Sequence, residues 1–183
     1  MRKSLQQLSY LFYETQQLNN QRWWRWLGCW FTNSFWAIAC YRIERACYLL
    51  LGRGWSAIRI LISPVLFFLH PWFGQADIHY RAEIGMGLKI LHPQLGIVIN
   101  GNAVIGDHCT LTGGNCIGGR KTLVKGSIRL GNHVSLGANA VVLGPVIIGD
   151  NVNIGAGAVV INDAPDNCFL VGVPAVEKRH AIK

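Results

Sequence analysis

The sequence predicts a mainly β chain: a solenoid with three flat faces per coil, preceded by a short α-helical region. Two observations carry this prediction. An aliphatic residue recurs at a fixed step between Ile78 and Val160, and the composition changes abruptly near residues 74–77. Ile78, Ile84 and Ile90 are six apart, as are Ile99, Ile105, Leu111 and Ile117. Leu130, Leu136, Val142, Ile148, Ile154 and Val160 continue without a slip. A step of six matches neither a helix, at about 3.6 residues per turn, nor the alternation of a simple strand. It matches one hexad per face of a stacked coil. The aliphatic residue points inward at a corner, and the small residue after it lets the chain turn, as in IGDHCT, LGNHVS, LGANAV, IGDNVN and IGAGAV.

The part before the repeat reads differently. FWAIACYRIERACYLLLGRG predicts a helix stopped at Gly52–Gly54, and WSAIRILISPVLFFL predicts a second. The expected division is an aromatic, basic helical region over 1–73, the solenoid over 74–176, and a tail over 177–183. Residues 1–73 hold eight Lys/Arg against Glu14 and Glu44 (8 − 2 = +6), whereas 74–183 hold nine against seven acids (9 − 7 = +2). All seven tryptophans lie at or before Trp72. Two readings of this half stay open: peripheral contact with an anionic membrane surface, or an aromatic cap packed on partner subunits. Nucleic acid is not an expected partner, because no Lys/Arg stripe or binding motif accompanies the charge. Spanning is not expected either. The uncharged run Ile60–Phe73 is interrupted by Pro64 and Pro71, and a spanning helix needs about 20 apolar residues.

A chain of 183 residues, 51% apolar and 14% charged, fills a core and is not disordered. Its six cysteines form no CxxC pair and no zinc-type spacing, and the first twenty residues lack the apolar stretch of a signal peptide. Free thiols in a reducing cytoplasm, and no metal, are expected.

The six-residue rhythm breaks twice. Between Ile90 and Ile99 the step is nine (99 − 90), inside GLKILHPQLGIVIN, and this piece contains His92. Between Ile117 and Leu130 the step is thirteen (130 − 117), across GGRKTLVKGSIR. Insertions in a solenoid serve as binding loops. A histidine beside a basic, Gly-rich loop suggests a general base near a site for an anionic ligand. The other histidines read otherwise. His108 and His133 take the fourth place of a hexad, a solvated corner; His70 and His79 flank the junction; His180 lies in the tail. On composition alone His92 too would be an incidental loop residue.

A wider stretch changes that. ADIHYRAEIGMGLKILHPQLGIVINGNAVIGDHCTL, followed by GG and, at 172–175, by GVPA, resembles the serine acetyltransferase branch of the hexapeptide-repeat acyltransferases over roughly residues 76–176. The resemblance implies a left-handed parallel β-helix, an exception to right-handed crossovers, assembled as a homotrimer with acetyl-CoA as co-substrate. It implies His92 as general base, oriented by Asp77 fifteen residues earlier (92 − 77). It also implies a CoA groove between subunits along Gly118, Gly119, Gly137, Ala138, Gly155 and Ala156. Lys178 and Arg179 would meet the CoA phosphates, with Arg120 and Lys121 as further candidates. Backbone N–H groups near Gly118–Gly119 would receive the oxyanion.

The departures are as informative. Leu91 stands where the branch carries an aspartate for the amino acid, RKTLVKGSIR contains no histidine, the chain ends HAIK, and the helical region is about half the branch's length. The pattern is nearer to the short exopolysaccharide O-acetyltransferases, including the colanic acid type. The expected activity is transfer of acetyl from acetyl-CoA to a hydroxyl of a saccharide or polysaccharide precursor. L-Serine as acceptor is the first alternative, and a non-catalytic solenoid docked on a membrane or complex the second.

Overall fold

The structure is a computed structural model that describes residues 2–18, 32–69 and 75–178. His70, Arg179, His180 and the tryptophans at 23, 24, 26, 30 and 72 lie outside the described residues.

Among the described residues three helices precede the solenoid: α1 (Arg2–Leu18), α2 (Asn33–Leu51) and α3 (Arg53–Leu69). Thr32 caps α2, its Oγ1 accepting from the Phe35 N–H at 3.3 Å. Gly52, at φ 55°, ends the helix and donates to the Tyr48 carbonyl at 2.8 Å. That left-handed conformation suits glycine. The break is narrower than the sequence suggests, because α3 restarts at Arg53 and takes Gly54 into its first turn.

The solenoid makes four coils of three strands. The first is β1 (Ala76–Ile78), β2 (Glu83–Ile84) and β3 (Lys89–Ile90). The second is β4 (Ile97–Ile99), β5 (Ala103–Ile105) and β6 (Thr110–Leu111). The third is β7 (Asn115–Gly119), β8 (Ile128–Leu130) and β9 (Ser135–Leu136). The fourth is β10 (Val141–Gly144), β11 (Val146–Ile148) and β12 (Asn153–Ile154). β13 (Val159–Val160) and β14 (Phe169–Val171) start a fifth, and β15 (Val176–Glu177) closes the end antiparallel to β14. Strands of successive coils pair in parallel, so β1-β4-β7-β10-β13 form the first face, β2-β5-β8-β11 the second, and β3-β6-β9-β12-β14-β15 the third.

All thirteen aliphatic positions of the repeat are buried, none above 8% exposed, and they form one continuous core. Ladder register gives the coil lengths directly. Ile97 pairs with Asn115, Ile128 with Val146, and Ser135 with Asn153, so a regular coil takes 18 residues. Ala76 pairs with Ile97, a coil of 21 (97 − 76), and Ala103 with Ile128, a coil of 25 (128 − 103). The two breaks in the rhythm therefore add three and seven residues without disturbing the ladders on either side.

Corners between the second and third faces repeat one device. Asp107, Asn132, Asp150 and Asp166 each accept, through Oδ1, a backbone N–H of the preceding coil, from Met86 at 2.7 Å, Asp107 at 2.9 Å, Asn132 at 2.6 Å and Asp150 at 2.7 Å. The residue after each of these acids or amides, His108, His133, Asn151 or Asn167, sits at φ between 55° and 59°. His108 and His133 are thus corner residues, their rings stacked 4.9 Å apart.

The helices cap the first coil. Arg42, fully buried, donates to Glu14 Oε2 at 3.1 Å, Gln7 Oε1 at 2.9 Å, and the carbonyls of Ile84 at 2.8 Å and Gly85 at 2.6 Å. Glu14 also accepts the Leu88 N–H at 2.9 Å. One ion pair so joins α1, α2 and the solenoid. It also turns α1 inside out: Ser4, Gln7, Glu14 and Thr15 are buried while Leu5, Leu8 and Phe12 are exposed. Beside it Tyr41 donates to the Ala82 carbonyl at 3.0 Å, and burial pushes its phenol up to about 12.

Candidate active site

His92 stands in the extra three residues, at the corner between the third and first faces. The chain leaves β3 with Leu91 and His92 still in the ladder, their N–H groups donating to the carbonyls of Leu111 at 3.0 Å and Thr112 at 2.9 Å. It then makes a short 3-10 turn, Pro93–Leu95, closed by Leu95 N–H to the His92 carbonyl at 3.2 Å. Buried Pro93 anchors the turn, and Gly96 at φ 81° releases the chain into β4. Gly113, at φ 139°, lies directly beneath, where any Cβ would strike the His92 carbonyl. The imidazole is therefore held on a fixed backbone and presented outward, between Leu91 (51% exposed) and Leu95 (58%). From the cap, Ser34 Oγ on α2 approaches the Leu91 carbonyl at 3.5 Å.

Asp77 lies at the same end of the first face, on β1, exposed and in register with Val98. The loop that carries His92 returns alongside it, because Ile97 N–H donates to the Gln75 carbonyl at 3.0 Å. The two backbones are neighbours, yet no hydrogen bond or ion pair joins Asp77 to His92.

The basic loop 120–127 is elsewhere. It follows β7 and so occupies the corner between the first and second faces, at the opposite end of the first-face strands from His92 within one chain. The sequence suggests a histidine beside this loop; in the single chain the first face lies between them. The loop is pinned, Gly126 N–H to the Asn102 carbonyl at 2.9 Å and Asn102 Nδ2 to the Leu123 carbonyl at 3.2 Å. Lys125 reaches the Arg81 carbonyl at 2.8 Å and Glu83 at 3.2 Å. Burial alone would raise the Glu83 carboxyl, but the bonded Lys125 ammonium and Arg45 outweigh it and hold it below its ordinary range. Arg120 Nη2 donates to the Ile161 carbonyl at 2.8 Å, while Lys121 is exposed.

The small residues named for CoA divide in two. Gly137 N–H donates to the Ile154 carbonyl and Gly155 N–H to Leu170, each at 2.8 Å, in the same corner column as Leu91 and Thr112. Ala138 and Ala156 follow them. A Cβ on Gly137 would lie 2.6 Å from the Ala156 nitrogen, and one on Gly155 3.0 Å from Val171 Cγ1. Coil stacking by itself thus requires Gly137, whereas a Cβ at Gly155 would need the Val171 side chain to give way. Gly118 and Gly119 sit at the other end of the first face, paired with Leu143 and Gly144 on β10. Any Cβ on Gly119 would collide with the Leu123 side chain of the basic loop. Lys178, exposed, follows β15, its N–H donating to the Phe169 carbonyl at 2.8 Å.

Sequence reasoning missed Asn115, which lies inside the first face and bonds three ways: from Gly113 N–H at 2.9 Å, and to the carbonyls of Gly137 at 2.8 Å and Ala140 at 3.4 Å. It ties the coil under His92 to the glycine column. Its signal was a polar residue two places before Ile117, at an inward position.

Comparison with known proteins fits this geometry. Residues 127–162 match the family model described as bacterial transferase hexapeptide (six repeats). The Escherichia coli K12 protein named as the colanic acid biosynthesis acetyltransferase WcaB is 33% identical over 143 residues, covering 75% of this chain and 86% of that protein. The chain belongs to the hexapeptide-repeat acyltransferase family. The serine acetyltransferase of Synechococcus elongatus is 37% identical over 142 residues, but the chain spans only 54% of it. Among solved structures, Neisseria gonorrhoeae serine acetyltransferase superposes over the whole chain and 70% of its own, with TM-score 0.77 and 29% identity. Brucella abortus serine acetyltransferase, solved in complex with coenzyme A, superposes over 92% of this chain and 66% of its own, with TM-score 0.73 and 26% identity.

Proposed function

We propose that this family member is an acetyl-CoA-dependent O-acetyltransferase acting on a hydroxyl of a saccharide or polysaccharide precursor. One observation carries the reading. The coil is lengthened by three residues at a single corner, and the residue so presented is His92, next to Leu91 at the head of the corner column that continues through Thr112, Gly137 and Gly155. Three coil steps at about 4.8 Å each give that column about 14 Å, the scale of an extended pantetheine arm lying along small residues.

In the proposed reaction, acetyl-CoA lies along the column with its carbonyl carbon near His92. The imidazole takes the acceptor's hydroxyl proton as the oxygen attacks that carbon. The tetrahedral intermediate collapses by breaking the carbon–sulfur bond, and the thiolate recovers the proton from the imidazolium. The products are an acetyl ester and free CoA. Asp77 would orient the ring and stabilise the imidazolium. In a homotrimer the first face of one subunit would abut its neighbour, so the loop 120–127 and Lys178 would border a groove whose other wall carries His92.

The acceptor assignment rests on the residues flanking the base. Leu91 and Leu95 expose apolar surface there, and no carboxylate adjoins His92 in sequence to receive an amino group. The serine acetyltransferase relatives favour L-serine as the second reading, and a non-catalytic scaffold is the third. CoA release, followed with a thiol reagent over L-serine, nucleotide sugars and lipid-linked oligosaccharides, separates the three. His92→Ala should lower turnover by about 10²–10⁴-fold with CoA affinity nearly unchanged. Asp77→Asn should cost less, and the double variant little more than His92→Ala. Wild-type turnover in His92→Ala with a productive acceptor would show the base to be another residue.

A further inference from the structure

α3 presents an apolar face to solvent. Its inner side, Trp55, Arg59 and Ile62, is buried or half-buried, and Arg59 pairs with Glu44 at 3.0 Å. On its outer side Ala57, Ile60, Leu61 and Pro64 follow the i, i+3, i+4, i+7 spacing of one helix face, and all four are exposed. Ile60 is 72% and Leu61 80% exposed, with Ile58 beside them at 39%. A helix of a soluble domain turns such a stripe inward; here it faces out.

Two further observations say what covers it. The first is charge. The only acids in residues 1–73, Glu14 and Glu44, are both taken by arginines inside the fold. Arg2, Lys3 and Arg53 are exposed and have no partner among the described residues, and the run Ile60–Phe73 carries no charge at all. The helical region thus offers unneutralised cations together with bare aliphatic side chains. The second is the backbone at Pro64. Proline has no N–H to give the Ile60 carbonyl four residues back, and Ser63 Oγ, on the exposed side, donates to that carbonyl at 2.7 Å. In water a solvent molecule would serve. In an apolar medium the freed carbonyl needs an internal donor, and a neighbouring serine is the usual means.

We propose that α3 docks lengthwise on an anionic phospholipid surface, its stripe Ala57–Ile60–Leu61–Pro64 in the acyl boundary and Arg53, one turn before Ala57 on the same face, over the headgroups. This reaches beyond the acetyl-transfer reading and does not rest on it. No helix among the described residues is long and apolar enough to cross a membrane, so the contact is interfacial. A second copy of the chain fits less well. Self-association would have to bury the stripe beside the unpaired cations of the same region in both copies, and a mass measurement separates the two.

The test is sedimentation of the full chain with vesicles of equal parts phosphatidylglycerol and phosphatidylcholine, against pure phosphatidylcholine, at low and high salt. The expected result is binding to the anionic vesicles that weakens with salt and falls at least tenfold in Ile60→Ser/Leu61→Ser. Ala57→Glu, which adds a carboxylate to the same stripe, should lose binding as well. Both variants alter exposed positions, so their melting temperatures and CoA release should match wild type. Failure of the wild-type chain to bind anionic vesicles, or binding unchanged in both variants, overturns the proposal. So does a fall in mass by light scattering in Ile60→Ser/Leu61→Ser, which would assign the stripe to self-association.

Discussion

Replacing Arg42 with methionine should uncouple the helical cap from the solenoid. Methionine keeps much of the arginine stem's volume but none of its donors. Arg42 serves Glu14, Gln7 and the carbonyls of Ile84 and Gly85, and its side chain and that of Glu14 are respectively 0% and 1% exposed. Without the guanidinium, Glu14 would retain only the Leu88 N–H while remaining out of water. Removing one partner of a buried pair costs about 3–5 kcal/mol. At about 2–4 °C per kcal/mol for a chain of this size, the melting temperature should fall by about 6–20 °C. The assay is thermal melting by circular dichroism at fixed protein concentration. Arg42→Met/Glu14→Leu should recover much of the loss, since an apolar pair can replace a buried ion pair at little cost. A melting temperature within about 2 °C of wild type in Arg42→Met, or no recovery in the double variant, would refute this account of the cap.

Three further outcomes are expected. Gly119→Ala should displace the basic loop and cost about 1–3 kcal/mol by overpacking, and Leu123→Ala in the same chain should relieve it; an unchanged melting temperature in Gly119→Ala would count against the close approach of Leu123. Cys109, whose thiol burial pushes up to about 12, should be alkylated only after unfolding, as peptide mapping by mass spectrometry would reveal. His79 is held below its ordinary value by burial first and by Arg59 and Arg81 next, so the unfolded chain binds protons more readily. Its contribution to stability is then full above about pH 6.5 and is lost as pH falls below that. Melting temperature should drop on acidification through this window, and less steeply in His79→Gln.

The solenoid was legible because its signal is local and periodic. Each inward aliphatic residue is set by its own hexad, and an insertion shifts the count without hiding it. The placement of the two breaks was countable as well. Ile117 lies one regular coil beyond Ile99 (117 − 99 = 18), so the second break leaves the first face, while the break after Ile90 leaves the third. A histidine and a basic loop in neighbouring breaks read as one site along the sequence, and only the face assignment separates them. The cap was not legible. Hydropathy would bury Leu5, Leu8 and Phe12 of α1, whereas Arg42, 28 residues beyond Glu14, draws the polar side inward. No spacing rule encodes a partner at that distance. Gly119 gave a partial signal: its smallness was visible, but its cause, the Leu123 side chain folding back over four residues, was not.

The unequal coils carry one more consequence. A solenoid bonds only to the coils above and below, so its length is a modular variable. The corner bearing His92 belongs to the first coil, braced by the cap, and every regular coil lies behind it. Whole units of 18 residues could be added or removed toward β15 while His92 keeps its seat against α2. What would change is the reach of the column behind it, in increments of about 4.8 Å. The fold therefore works as a graduated ruler with its zero at the cap, on which the length of the column and the position of His92 are set independently.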